Sequence, residues 1–167
     1  MTSNISLSPH FELREFTDSL TARKYGIANV PSPVAVENLR ALCVHTLEPL
    51  RKALGLPIII TSGFRTKALN DKLAHSSERS QHMLGQAADF YVAPGQSGLS
   101  RRELLIKAFR EILTNPKIDF DQLILYPSFI HVSYVSSKAN RRGILKAQGN
   151  GKLGYGRLTL ADALSIS

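Results

Sequence analysis

Hydrophobic positions recur along this chain at two spacings, and the changes between them divide it into elements. From Val34, the positions Val36, Leu39, Cys43, Leu47, Leu50 and Leu54 step by three or four residues, which predicts a helix with one buried face. Pro49 falls inside that run. It removes a backbone donor and crowds the preceding turn, so a kink or a split is expected there. Gly55 is a natural stop. PIIIT (57–61) is short, apolar and β-branched and reads as a buried strand. SGFR then turns into a short helix, TKALNDKLA. A polar loop covers 75–86, and AADFYVA is a second strand. Residues 99–115 predict another amphipathic helix, with Leu104, Leu105, Ala108, Phe109, Ile112 and Leu113 facing inward. QLILY and FIHVSYV form a hairpin that turns at Pro127-Ser128.

The flanks are less periodic. Within 8–26, Ser8 or Asp18 can cap a short helix and Gly26 can end one. NVPSP is a turn or linker. KANRRGILKAQGNGKLGYGR, over 138–157, is basic and glycine-rich and is expected to be an extended surface segment. A short helix, LTLADALS, closes the chain. No repeat or low-complexity segment interrupts this order. Helices set against a small, largely antiparallel sheet define an α+β fold.

Composition narrows the class. A chain of 167 residues is expected to form a single domain over 1–167. That length suffices to bury roughly 70% of the unfolded surface without staples. One cysteine excludes an intramolecular disulfide framework and a Cys-rich zinc cluster. Cys43, among Leu39, Leu42 and Leu47, reads as a small buried hydrophobe. A net charge of +8 suggests an anionic partner, and much of that charge lies between Lys138 and Arg157. No stretch is long and apolar enough to span a membrane. MTSNISLSPHFEL lacks the basic start and apolar run of a secretory signal, so synthesis in the cytoplasm is expected.

The candidate chemistry lies in SSERSQHMLGQAADF, residues 76–90. His82 and Asp89 stand seven positions apart. On one helix they would be roughly 10 Å apart, whereas two zinc ligands must each come within about 2 Å of the ion. Gly85 permits a sharp turn instead, and small Ala87 and Ala88 lead into a strand. There Ala88, Phe90 and Val92 take one face, and Asp89 and Tyr91 the other. A loop histidine can fold back over a strand carboxylate in this arrangement. His131 offers a third ligand: Phe129, His131, Ser133 and Val135 share one face of their strand. Two histidines and a carboxylate, with a fourth position left to water, make up a usual catalytic zinc site. Each residue alone has an ordinary reading: a satisfied core histidine for His131, a loop histidine for His82, a capping carboxylate for Asp89. His10, His45 and His75 read as structural or solvent-exposed.

Taken jointly, these residues resemble a known family. Ser80-Gln-His82-Met-Leu-Gly85-Gln-Ala87-Ala-Asp89 matches the Ser-x-His-x-x-Gly-x-Ala-x-Asp pattern of the zinc D,D-carboxypeptidase and L,D-endopeptidase superfamily, peptidase family M15. Ser62-Gly63-Phe64-Arg65-Thr66 resembles its Ser-Gly-Tyr-Arg-Ser turn, followed by Leu69-Asn70. FDQLILYPSFIHVSY resembles the strand pair that carries its last histidine. LSPHFELREFTDS and LEPLRKALG resemble the N-terminal part of a subgroup found in phages and prophages. The similarity covers roughly residues 7–136.

The resemblance implies a hedgehog/DD-peptidase-like fold and a zinc ion held by His82, Asp89 and His131. Arg65 would hold the substrate carbonyl as negative charge develops, a task suited to a fixed, always-charged guanidinium. Ser80 would contact substrate or buttress the loop. The implied substrate is the peptide of bacterial peptidoglycan, cut by a carboxypeptidase or an endolysin-type endopeptidase, with the cell wall as site of action after release. A monomer is expected, with neither nucleic acid nor membrane insertion.

One position departs from the pattern. Many members carry Glu or Asp three residues before the last histidine as general base, and this chain has Ser128 there. Asp121 is the nearest upstream carboxylate and the candidate base, with Glu78 and His75 as alternatives. The vacancy at Ser128 motivates a second reading, a zinc-containing peptidoglycan-binding protein that lacks catalysis. A basic metal-dependent nuclease or nucleic-acid-binding domain is a third, opposed by 7% aromatics, no tryptophan and no nucleic-acid motif.

Overall fold

The structure is a computed structural model and describes residues 5–74, 76–148 and 154–167. Helices pack on a mixed six-stranded sheet, beside a small two-stranded antiparallel one, as expected for an α+β fold. The small sheet pairs β1 (Ser6–Ser8) with β2 (Phe11–Glu12). Two short helices follow, α1 (Leu13–Thr17) and α2 (Leu20–Tyr25). Their caps are not the expected ones. Glu12 forms a reciprocal capping box with Glu15 at the start of α1, Ser8 instead bonds Glu48, and Ser19 rather than Asp18 caps α2. Gly26 ends α2 with a left-handed φ of 62°, as the sequence suggests.

The long apolar run is split near Pro49. α3 (Pro33–Leu42) passes into a π-helical turn over Cys43–Leu47, and α4 (Glu48–Leu54) carries Pro49 in its first turn. Proline has no N–H to offer the carbonyl four residues back, that of His45. The Asp119 amide bonds that carbonyl instead, at 3.1 Å.

β3 (Ile58–Ser62), β4 (Ala87–Val92), α6 (Arg101–Thr114), β5 (Gln122–Leu125) and β6 (Ile130–Ser133) lie where periodicity predicts them. The short α5 (Lys67–Asn70) opens the loop between β3 and β4. The strand order is β3-β4-β6-β5, followed by β7 (Gly143–Ala147) and β8 (Tyr155–Arg157). These last two strands correct the expectation for 138–157. Part of that basic segment pairs with the sheet, β7 running parallel to β5 and β8 antiparallel to β7. Its residues 149–153 lie outside the described ones. α7 (Leu160–Leu164) ends the chain against α6.

The core lies between one sheet face and the helices. Ala88, Phe90 and Val92 from β4 and Ile130 and Val132 from β6 meet Leu104, Leu105, Ala108, Phe109 and Ile112 of α6 there. Cys43 is fully buried among Leu39, Leu42 and Leu47, and burial pushes its thiol far above the usual range. With one face committed to the core, every odd-numbered residue of β4 must point to the other face.

Candidate metal centre

The opposite sheet face carries the polar cluster. Asp89 and His131 are register partners across the antiparallel β4–β6 pair, so their side chains stand side by side. His131 Nδ1 is 2.8 Å from Asp89 Oδ1. His82 arrives from a 3₁₀ turn, Gln81–Leu84, that Gly85 closes with φ of 69°. A Cβ at Gly85 would also collide with the Ala35 carbonyl, so glycine is required there both for conformation and for space. The turn brings His82 Nε2 to 3.2 Å from His131 Nδ1 and 3.3 Å from Asp89 Oδ1.

These separations fit one ion. Tetrahedral ligands about 2.0–2.1 Å from zinc lie roughly 3.4 Å from one another. The three donor atoms, 2.8 to 3.3 Å apart, are close to that spacing before any ion is bound. Two imidazoles and one carboxylate are also the right chemistry for such a site. Among the described residues, His82, Asp89 and His131 form the group able to hold a metal ion.

Outer contacts set the orientation. His82 Nδ1 lies 2.6 Å from the Gly63 carbonyl, so it carries the proton and leaves the Nε2 lone pair facing the cluster. Gly63 is needed at this point because a Cβ would sit 2.6 Å from the Phe16 backbone of α1. The Arg65 amide donates to the His82 carbonyl at 3.1 Å, joining the β3 turn to the histidine turn. Ser80 caps that turn, its hydroxyl oxygen accepting from the His82 amide at 3.4 Å.

Arg65 also reaches the cluster. Its Nη2 is 3.2 Å from Asp89 Oδ2 and its Nε donates to Ser62 Oγ at 3.2 Å. Burial draws its pKa down, against the pull of Asp89 and Tyr126. Burial also pushes His82 below the usual imidazole range, despite the attraction of Asp89. Burial would raise the Asp89 carboxyl, but its electrostatic interaction with His82 and its hydrogen bond with His131 hold it well below the usual carboxylate range. A deprotonated carboxylate beside a His82 imidazole held neutral is the state a metal requires.

The structure does not bring Asp121 to this cluster. The residue precedes β5, three positions before Ile124, the partner of His131 across β5–β6. At about 3.3 Å per residue that offset is roughly 10 Å along the strand. Both Asp121 oxygens accept from Arg141, and Oδ2 also accepts from Gln81 Nε2 at 3.0 Å. Burial raises its carboxyl, but these hydrogen bonds outweigh that effect and hold it below the usual range. Ser128 sits in the exposed hairpin turn, where its carbonyl accepts from Arg101. Glu78 is exposed, and His75 lies outside the described residues. His10 pairs with Glu48, and His45 stacks on Tyr134.

One supporting residue is absent from the sequence reading. The Asn29 amide donates to the Thr17 and Phe64 carbonyls at 3.0 and 2.9 Å, and its oxygen accepts from the Thr66 amide at 2.9 Å. It thereby clamps the turn that carries Arg65. In the sequence it is one asparagine of a turn-rich linker, with nothing local to mark it.

A family model described as Peptidase M15 matches residues 9–133. The chain belongs to the peptidase M15 family. None of the curated proteins compared with the chain matches it. The match runs from the residue after Ser8 to the end of β6 and so contains every residue of the His82–Asp89–His131 cluster. Membership suggests a metallopeptidase, and this cluster is the candidate for its metal site. No helix among the described residues of this M15 protein is long and apolar enough to cross a membrane.

Proposed function

We propose that this M15 protein is a zinc-dependent metallopeptidase that hydrolyses peptide bonds in the stems or cross-links of bacterial peptidoglycan. The observation that carries the reading is the convergence of His82 Nε2, Asp89 Oδ1 and His131 Nδ1 at ligand spacing. Zinc, when held by these three side chains, supplies a Lewis acid and lowers the pKa of water to about 7.

The chain's own residues prepare that chemistry. Gly63 fixes the His82 tautomer through its carbonyl. Arg65, held by Ser62 and Asp89, stabilises the substrate carbonyl oxygen as negative charge develops during attack by water. Ser80 buttresses the His82 turn. Asp121, tied to Arg141 and Gln81, acts as a positioning carboxylate for that same turn in place of the base role expected from the sequence. The basic residues from Lys138 to Arg157 help hold the anionic wall after the protein is released.

A second reading has its own support. With Ser128 in an exposed turn and both Asp121 oxygens occupied, neither expected base position offers a free carboxylate. The protein would then bind zinc and peptidoglycan without cutting. Mass spectrometry of purified peptidoglycan, treated with zinc-loaded native protein or with His82→Ala, separates the two. New stem-peptide fragments that are lost in the variant support the peptidase. Intact peptidoglycan with zinc bound supports the binding protein.

A further inference from the structure

The face of the sheet that holds the metal cluster carries a row of aromatic rings beside it. Asp89 and His131 are register partners, and the next pair on that face of the same ladder sets Tyr91 of β4 opposite Phe129, the residue before β6. On its other side Phe129 meets Tyr126, whose amide donates to the Phe129 carbonyl at 3.0 Å. These two rings stack with centroids 4.1 Å apart and 14° between their planes. Tyr91 lies two positions from Asp89, Phe129 two from His131, and Tyr126 two from Ile124, the partner of His131. Residues two apart on a strand share a face and are roughly 7 Å apart. The rings therefore stand on the ligands' side of the sheet, one repeat along.

The row is open to solvent and borders the catalytic groups. Tyr91, Phe129 and Tyr126 are all partly exposed. Ile59, the partner of Tyr91 on β3, extends the row and is 37% exposed. Tyr126 interacts electrostatically with Arg65. Arg101 closes the far end from the first turn of α6. Its guanidinium lies over the Tyr91 ring, 3.9 Å from the centroid, and its Nε donates to the Ser128 carbonyl at 3.3 Å. The residue is exposed, and among the described residues no carboxylate pairs with it. An apolar strip that ends in a guanidinium fits a group with an aliphatic stem and an anionic tip.

We propose that the Tyr91–Phe129–Tyr126 row is a substrate subsite beside the metal, selecting a residue whose aliphatic side chain ends in a carboxylate that pairs with Arg101. The proposal rests on the peptidase reading above and assigns it a side-chain preference. The stem lies on the rings, and the carboxylate meets the Nη groups while Nε keeps its bond to Ser128. A row roughly 7 Å from the ligands spans about two residues of extended peptide. The selected residue therefore lies within about two positions of the cut bond.

The test uses the zinc-loaded full chain with soluble wall-stem peptides that carry 2-aminopimelate, its side-chain carboxamide or alanine at each position in turn. At one position near the cut bond, KM should be about tenfold lower for the carboxylate than for the carboxamide. Arg101→Ala should erase that difference and leave turnover of the alanine peptide within about twofold. Phe129→Leu should raise KM about threefold for both long side chains and leave the alanine peptide unchanged. If Phe129→Leu does not fold, the peptide series and Arg101→Ala decide. Native cleavage with one KM for all three peptides at every position overturns the subsite and leaves the peptidase intact. A carboxylate preference that survives Arg101→Ala overturns it equally. A native protein that cuts no stem peptide removes both.

Discussion

His131 Nδ1 stands 2.8 Å from Asp89 Oδ1 because residues 89 and 131 are partners across two antiparallel strands. The pair is therefore set by backbone register, and only His82 must be delivered by a turn. Asp89→Asn keeps the shape and removes the charge at the centre of the cluster. It should weaken zinc binding beyond the roughly 10–100-fold typical of losing an outer partner. Competition against a chromophoric chelator measures this.

Delivery of His82 depends on Gly85. Gly85→Ala places a side chain at a positive φ and against the Ala35 carbonyl. The expected loss is about 2 kcal/mol or more in urea unfolding. Zinc affinity should fall with it, since the histidine turn closes on this residue.

Arg65→Lys retains a positive charge but loses the planar fork shared between Ser62 and Asp89. The variant should keep its zinc and its fold. Its kcat on a wall-stem peptide should fall about 10²–10³-fold, and steady-state kinetics with metal analysis checks both statements.

Asp121 is 1% exposed, while Arg141 remains largely in solvent. Removing the arginine leaves a buried carboxylate with fewer donors, so Arg141→Ala should cost about 2–3 kcal/mol. The folded Asp121 pKa lies below its unfolded value. Its contribution is therefore fully present above the unfolded value of about 4 and lost as pH falls through the folded one. Asp121→Asn should flatten that acid limb in unfolding measured between pH 2 and pH 6.

Most of the cluster was legible in the chain because it sits on strands. Alternation in ADFYV and FIHVSYV separates Asp89 and His131 from the core positions, and Gly85 marks the turn that brings back His82. The partners of Asp121, Arg141 and Gln81, were not legible, and proximity in sequence to β5 hides a roughly 10 Å offset along it from the level of His131. β7 and β8 escaped because lysines and glycines mask a pairing made by backbone alone, on the far side of β5. The split at Pro49 was legible, but the accommodation was not, since it needs a donor from Asp119, seventy residues onward. Asn29 has the same character. Its three hydrogen bonds exist only once α1 and the β3 turn have met.

The most direct measurement is a crystal structure of the zinc-loaded protein with anomalous data collected at the zinc edge. One strong peak is expected about 2.0–2.2 Å from His82 Nε2, Asp89 Oδ1 and His131 Nδ1, with a fourth position open to solvent. A peak elsewhere, or none at this cluster in well-ordered crystals grown with zinc, would contradict it.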